Sequence, residues 1–360
     1  MKLEGVRVLD LSLFLPGPML TQMMADHGAD VIKLEPPGDG EPNREIDLKR
    51  DGVSVFFANT HRGKRSIQLD LKTDGGREAA LRLAEQCDVM VESSRPGVVD
   101  RLGVGYEQVS ERAPHIVYCS ITAFGQTGSY VRRPAHDLAT EALAGVLSVN
   151  LGPDGRPAMP AIANADILSS MMDALMASIP NNMGSVLAER RAPIAKHERP
   201  WGGNAMYSIY ETKDGKWVVL GAAEMHFAEN VLTRLGRPDL IELCEPPPGP
   251  NQDPVREFFS ETFKTRTQAD WSAFFADVDA AFAPVQNMRE AVDDPQVRSR
   301  DMIIEDSRGW EHIGLPIKFR DEPGSPDFAL PEVGQHSEEI LREMDYDDAE
   351  IIALKEAGVF

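Results

Sequence analysis

Val6-Arg7-Val8-Leu9-Asp10-Leu11, Leu15-Pro16-Gly17-Pro18 and Ala29-Asp30-Val31-Ile32-Lys33-Leu34 are the residues that decide the fold. The first and last runs read as strands, short and apolar and bounded by turn residues, as strands of a buried parallel sheet are. Between them a proline opens a helical pattern where no amide hydrogen is needed, and Gly28 closes it after Asp26. Strand, helix and strand in so short a span make a βαβ unit, which predicts an α/β fold on a parallel sheet. No G-x-G-x-x-G follows the first strand, which argues against a dinucleotide fingerprint. Walker, His-Glu-x-x-His and G-x-S-x-G motifs are missing too.

Further strands are expected at Ser66–Leu71, Asp88–Glu92 and His115–Thr122. Ligands of open α/β sheets bind outside the carboxyl ends of strands, so Asp70, Leu71 and Lys72 form a contact zone. Arg62, Lys64, Arg65, Lys72, Arg95 and Arg101 make a basic concentration suited to phosphates, or equally a solvated basic face. From Trp201 the texture changes. Met206–Glu211 and Trp217–Gly221 flank Asp214-Gly215, the pattern of a β-hairpin. We expect a large domain over residues 1–200, a smaller α+β domain over 204–320, and a segment 321–360 returning to the large domain.

The 360 residues carry a net charge of −21. Nucleic acid and anionic membrane are bound by neutralising phosphates, so this surface argues against both as partners. Cys87, Cys119 and Cys244 are scattered, with no metal-ligand or disulfide spacing, and read as thiols of a reducing compartment. No metal site is expected. No apolar run is long enough to span a bilayer, and the start lacks a leader pattern, so a cytoplasmic location is the default expectation.

The stretch Arg133–Asp166 carries the candidate chemistry. His136-Asp137 precedes a helix reaching Gly145, with Asp137 the better N-cap, and Asp166 precedes a helix whose Ile167, Leu168, Met171, Met172, Leu175, Met176 and Ile179 share one face. An imidazole and a carboxylate at two helix starts suit proton transfer at carbon. Two aspartate caps and a turn histidine are the plain alternative.

Residues 6–35, with Arg62-Gly63-Lys64-Arg65-Ser66, Leu69-Asp70-Leu71-Lys72, Arg95-Pro96-Gly97, Gly125-Gln126-Thr127-Gly128, Tyr210-Glu211 to Gly221 and Gly334–Leu341, resemble the CaiB–BaiF family of family III CoA-transferases and α-methylacyl-CoA racemases. The resemblance covers nearly the whole chain. It implies a Rossmann-like large domain with a small domain, an interlocked homodimer, and an acyl-CoA substrate whose CoA is the only cofactor-like group. It further implies CoA contacts at Asp70, Leu71, Lys72, Arg95 and Arg101, with Asp137 positioning the thioester. In the transferase branch Asp166 is a covalent nucleophile. In the racemase branch His136 and Asp166 exchange the α-proton of a 2-methylacyl-CoA and Glu224 polarises His136. The His136-Asp137 pair favours the racemase branch. Relatives carry an extra helix, a Gly-rich turn and a strand between the carboxylate and the Trp201 region, where this chain runs from Asp166-Ile167-Leu168 directly into Met171-Met172.

Overall fold

The computed structural model describes residues 1–46, 49–133, 136–144, 146–148, 150–152, 156–160, 164, 176, 184–192, 194, 203–245 and 247–360. The chain forms two compact units: Met1–Val146 with Met159–Ala177 and Pro295–Phe360, and Leu147–Ala158 with Ser178–Asp294.

The first unit is built on a five-stranded parallel sheet. Its strands are β1 (Arg7–Asp10), β2 (Asp30–Glu35), β3 (Arg65–Gln68), β4 (Val89–Glu92) and β5 (Val117–Ser120), in the order β3-β2-β1-β4-β5. In register, Val8 lies beside both Val31 and Val89, and Leu9 beside Ile32 and Met90. Because side chains alternate along a strand, these pairs divide between two cores. Leu9, Ile32, Ile67 and Met90 pack with Ala79, Leu83 and Val109 and with Ile340, Leu341 and Ile351 of the C-terminal helices. Val8, Val31 and Val91 face the other way, toward Leu20 and Met24. Covered on both faces, the sheet has the mixed α/β architecture expected.

Helix α1 (Pro16–Asp26) joins β1 to β2. Pro stands at its first turn, and Gly28 follows its end at φ +100°, a left-handed turn that releases the chain into β2.

The second unit contains an antiparallel sheet of Tyr207–Glu211, Trp217–Gly221 and Phe282–Pro284. The first two strands form the expected hairpin, turning at Gly215 with φ +71°. Phe259, Phe263, Trp271 and Phe275 fill its core.

Charge is buried under the carboxyl edge of the first sheet. Asp10 ends β1, fully enclosed, and accepts from Thr21 Oγ1 at 2.6 Å and from Lys64 Nζ at 3.0 Å. Lys33 of β2, also fully enclosed, lies 3.8 Å from Asp10 and 3.1 Å from Glu41 and donates to the Ser12 carbonyl. Burial by itself would raise the Asp10 carboxyl, but Lys33 and Lys64, with the Ser12 and Thr21 hydroxyls, hold it far below the usual carboxylate range. Lys33 is held up despite burial by Asp10 and Glu41, whereas burial brings Lys64 down.

Unfolded, Asp10 takes up a proton near its ordinary value of about 4. Folded, it resists, so the stability it contributes is present above that value and is lost as the pH falls through the depressed one. Asp10→Asn leaves two buried ammonium groups poorly compensated. Urea titrations are expected to place it about 3–5 kcal/mol below the parent at pH 7 and to give it a shallower decline between pH 5 and pH 2 (about 3–5 kcal/mol being typical for a broken buried pair).

Candidate active site

The site forms where the strand order turns back on itself. The chain leaves β1 toward β2 on one side, and β4 lies on the other, so the loops after β1 and β4 diverge above a crevice. These loops are tied together. Leu11 N–H donates to the Val91 carbonyl at 2.8 Å, and Leu13 N–H donates to Ser93 Oγ at 2.8 Å.

Two cavities open there, both within the first unit. One, of about 360 Å³, is lined among others by Phe14, Ser93, Arg95, Thr122, Phe124 and His136. Its neighbour, of about 370 Å³, is lined by Pro36, Leu69, Asp70, Leu71, Lys72 and Leu102. Leu13 and Ser94 line both, so the two adjoin across the diverging loops. A larger cavity, about 860 Å³, lies elsewhere in the unit, against Arg44, Phe57, Asp306 and Asp327, and none of the expected site residues lines it. The smaller pair stands at the strand ends, where this fold class binds its ligands, and so has the stronger physical claim.

Asp70 shapes its own loop. Its carboxylate accepts from Lys72 N–H at 2.9 Å, while its carbonyl accepts from Thr73 Oγ1 at 2.7 Å. Lys72 and Arg95 are exposed on the cavity walls, and Arg101 is exposed at the end of a short helix without lining either cavity. Among the described residues, none of these three cations has an ion pair. Arg62, Lys64 and Arg65 are different. Arg62 pairs with Asp26 at 2.8 Å, Lys64 with Asp10, and Arg65 with Asp30 at 2.7 Å. Half of the basic concentration expected to face phosphates is therefore spent inside the fold. The sequence could not reveal this, because the partners are 35 or more positions away along the chain.

His136, exposed, is itself the N-cap of helix α2 (Asp137–Leu143), and Asp137 is the first helical residue. This corrects the expectation that Asp137 caps. His136 is extended, at φ −127° and ψ 176°, and its carbonyl receives Thr140 N–H at 3.3 Å. The Asp137 carboxylate in the first turn still complements the helix dipole. The imidazole meets the Phe14 ring edge-on, with centroids 6.2 Å apart. Glu141, fully enclosed on α2, accepts from Asn164 Nδ2 at 3.2 Å. Asp166 and the Met-rich helix expected after it lie outside the described residues, apart from Met176. Glu224 is exposed at the N-cap of the helix Met225–Arg234 in the second unit. No three His, Cys, Asp or Glu side chains group as metal ligands among the described residues, and none of their helices is long and apolar enough to cross a membrane.

The sequence of the CoA-transferase family III model matches residues 3–179 and again 165–337. The chain belongs to CoA-transferase family III. It is similar to enzymes named as transferases and to one named as a racemase. It is 31% identical to succinyl-CoA:glutarate CoA-transferase from Homo sapiens, over 99% of this chain and 89% of that protein. With alpha-methylacyl-CoA racemase from Homo sapiens it shares 30%, over 98% and 96%. A solved CAIB/BAIF family protein from Brucella suis superposes with a TM-score of 0.81 at 26% identity, over 95% of this chain and 99% of that one. The match to the human transferase runs over 399 positions, more than the 360 residues present here, so this family III chain lacks residues that the relative carries. The two family matches overlap at residues 165–179.

Glu92, enclosed below the crevice, accepts from Ser94 N–H at 2.7 Å. Burial, with a smaller push from Asp100, raises its carboxyl above the usual range. The folded protein thus holds this proton to higher pH than the unfolded chain, and stability falls as the pH rises through the raised value. Glu92→Gln keeps an oxygen for Ser94 N–H and removes the buried charge. Chemical denaturation is expected to show it as stable as the parent or more so at pH 7, with the difference shrinking toward pH 4.

Proposed function

We propose that this enzyme is a CoA-thioester racemase or epimerase acting at the α-carbon of a 2-methylacyl-CoA. The observation that carries this reading is the imidazole of His136 on the wall of a cavity that adjoins the Asp70–Lys72 cavity. An imidazole can both take and return a proton. In the proposed arrangement the CoA nucleotide lies against Asp70, Leu71 and Lys72, and Arg95 and Arg101 supply charge for its phosphates. The thioester then crosses the shared Leu13–Ser94 wall into the His136 cavity. Asp137 helps to place it.

One of His136 and Asp166 takes the α-proton, and the C–H electron pair moves into an enolate over the thioester carbonyl. Backbone N–H donors at the helix starts stabilise the negative oxygen. The other residue returns a proton to the opposite face, so no external acceptor is required. The position of Asp166 in this scheme rests on the sequence pattern. A homodimer, with Glu224 orienting His136, belongs to the same proposal.

A second reading has its own support in the likeness to the human glutarate transferase. There Asp166 attacks the thioester, CoA leaves, and the acyl group is exchanged for that of a free acid through a covalent intermediate.

Proton NMR of a 2-methylacyl-CoA in deuterium oxide tests the choice. Deuterium entering at the α-carbon with no second acid present is the expected result, and His136→Asn is expected to lower exchange by about 10²–10⁴-fold for one epimer more than for the other. Transfer of CoA to an added acid, through a hydroxylamine-sensitive enzyme adduct and without α-exchange, would establish the transferase reading. CoA binding with neither reaction would mean that catalysis has been lost.

A further inference from the structure

Phe14 has a backbone φ of +64°, in the left-handed region that a bulky side chain ordinarily avoids. Such a residue persists only where its surroundings over-determine it. Here they do. Phe14 N–H donates to Glu41 Oε1 at 3.0 Å, and its carbonyl accepts from Asn43 Nδ2 at 2.5 Å. Glu41 and Asn43 are both enclosed, 1% and 0% exposed. The other Glu41 oxygen lies 3.1 Å from the buried Lys33 ammonium, which also binds the carbonyl of Ser12. The strained residue is therefore clamped on both of its backbone polar groups, and the clamp is anchored in the ionic cluster beneath the sheet edge.

The clamp serves a ring that does little for the core. Phe14 is 40% exposed, lines the same cavity as His136, and presents itself edge-on to the imidazole at an interplanar angle of 85°. An unstrained turn would cost less backbone energy, but it would carry the ring elsewhere. His136 makes no side-chain capping bond to its own helix, so the Phe14 ring is a principal restraint on the imidazole among the described residues.

We propose that Phe14, held in its left-handed conformation by Glu41 and Asn43, is a positioning residue that fixes the orientation of the His136 imidazole in the cavity. This rests on the reading of His136 as a proton-transfer group, but its geometric half can be tested without any turnover.

Phe14→Gly is the informative variant. Glycine accepts the positive φ without strain and leaves the clamp intact, so the protein is expected to fold. In the free protein, the His136 ring resonances are expected to move through loss of the aromatic ring current. With a 2-methylacyl-CoA, kcat for α-proton exchange is expected to fall about ten- to a hundredfold while KM changes little, as for a misaligned catalytic group. Glu41→Gln keeps the ring and loosens its anchor, and is expected to shift the same resonances by less. Unmoved His136 resonances in both variants would overturn the proposal. So would a rise in KM at constant kcat, which would make Phe14 a plain wall of the acyl site. Displaced resonances in a protein that shows no α-exchange even before substitution would uphold the positioning role and defeat the racemase reading instead.

Discussion

A lysine ammonium sealed under the carboxyl edge of a parallel sheet is the constraint on which the site depends. Lys33 lies among Asp10, the Ser12 carbonyl and Glu41, with no solvent contact. A single charge in such surroundings would be prohibitively costly, and the group is retained only because opposite charges and a carbonyl dipole surround it. Every one of those partners belongs to the end of β1 or to the loops beside it. Satisfying Lys33 therefore fixes the path of the chain from Asp10 through Phe14, which forms one side of the crevice. Stability and site geometry are consequences of the same buried cluster. Hydrophobic packing alone would tolerate small slips of this loop, but ion pairs in low dielectric do not.

Much of the architecture was legible in the sequence because it rests on local patterns. The Pro-Gly-Pro start, the Gly28 stop and the short apolar runs on either side define β1, α1 and β2 within a few residues. Likewise, the Asp214-Gly215 turn defines the hairpin. The site was legible in part. Asp70–Lys72, Arg95 and His136 could be nominated from position and residue type, and they line two adjoining cavities. What sequence reading missed is long-range pairing. Arg62, Lys64 and Arg65 resemble phosphate ligands until their carboxylate partners are known. Phe14 looks like one more apolar loop residue until its backbone angle is seen. One signal was available: Asp10 and Lys33 are charges set inside apolar strand runs, a pattern that demands a buried partner.

The chain is similar to proteins named for two kinds of chemistry, a CoA-transferase and a racemase. In the proposed reading Asp166 serves either chemistry. His136-Asp137 points toward proton transfer, whereas the relatives include named transferases and a racemase of nearly equal identity. The two chemistries differ in what the site must provide. A transferase needs a carboxylate free to form and break an anhydride bond. A racemase needs two proton carriers on opposite faces of one carbon, held so that neither swings away. The proposed restraint of His136 by the Phe14 ring answers the second requirement more than the first.

A crystal structure of the protein with a bound 2-methylacyl-CoA is the most direct test of the thioester lying across the paired cavities. The expected result is a CoA nucleotide beside Asp70–Lys72, a thioester passing the Leu13–Ser94 wall, and an α-carbon about 3–3.5 Å from an imidazole nitrogen of His136, a reactive separation. An acyl group bonded to Asp166, or a ligand seated in the cavity between Arg44 and Asp306 with the crevice empty, would contradict it.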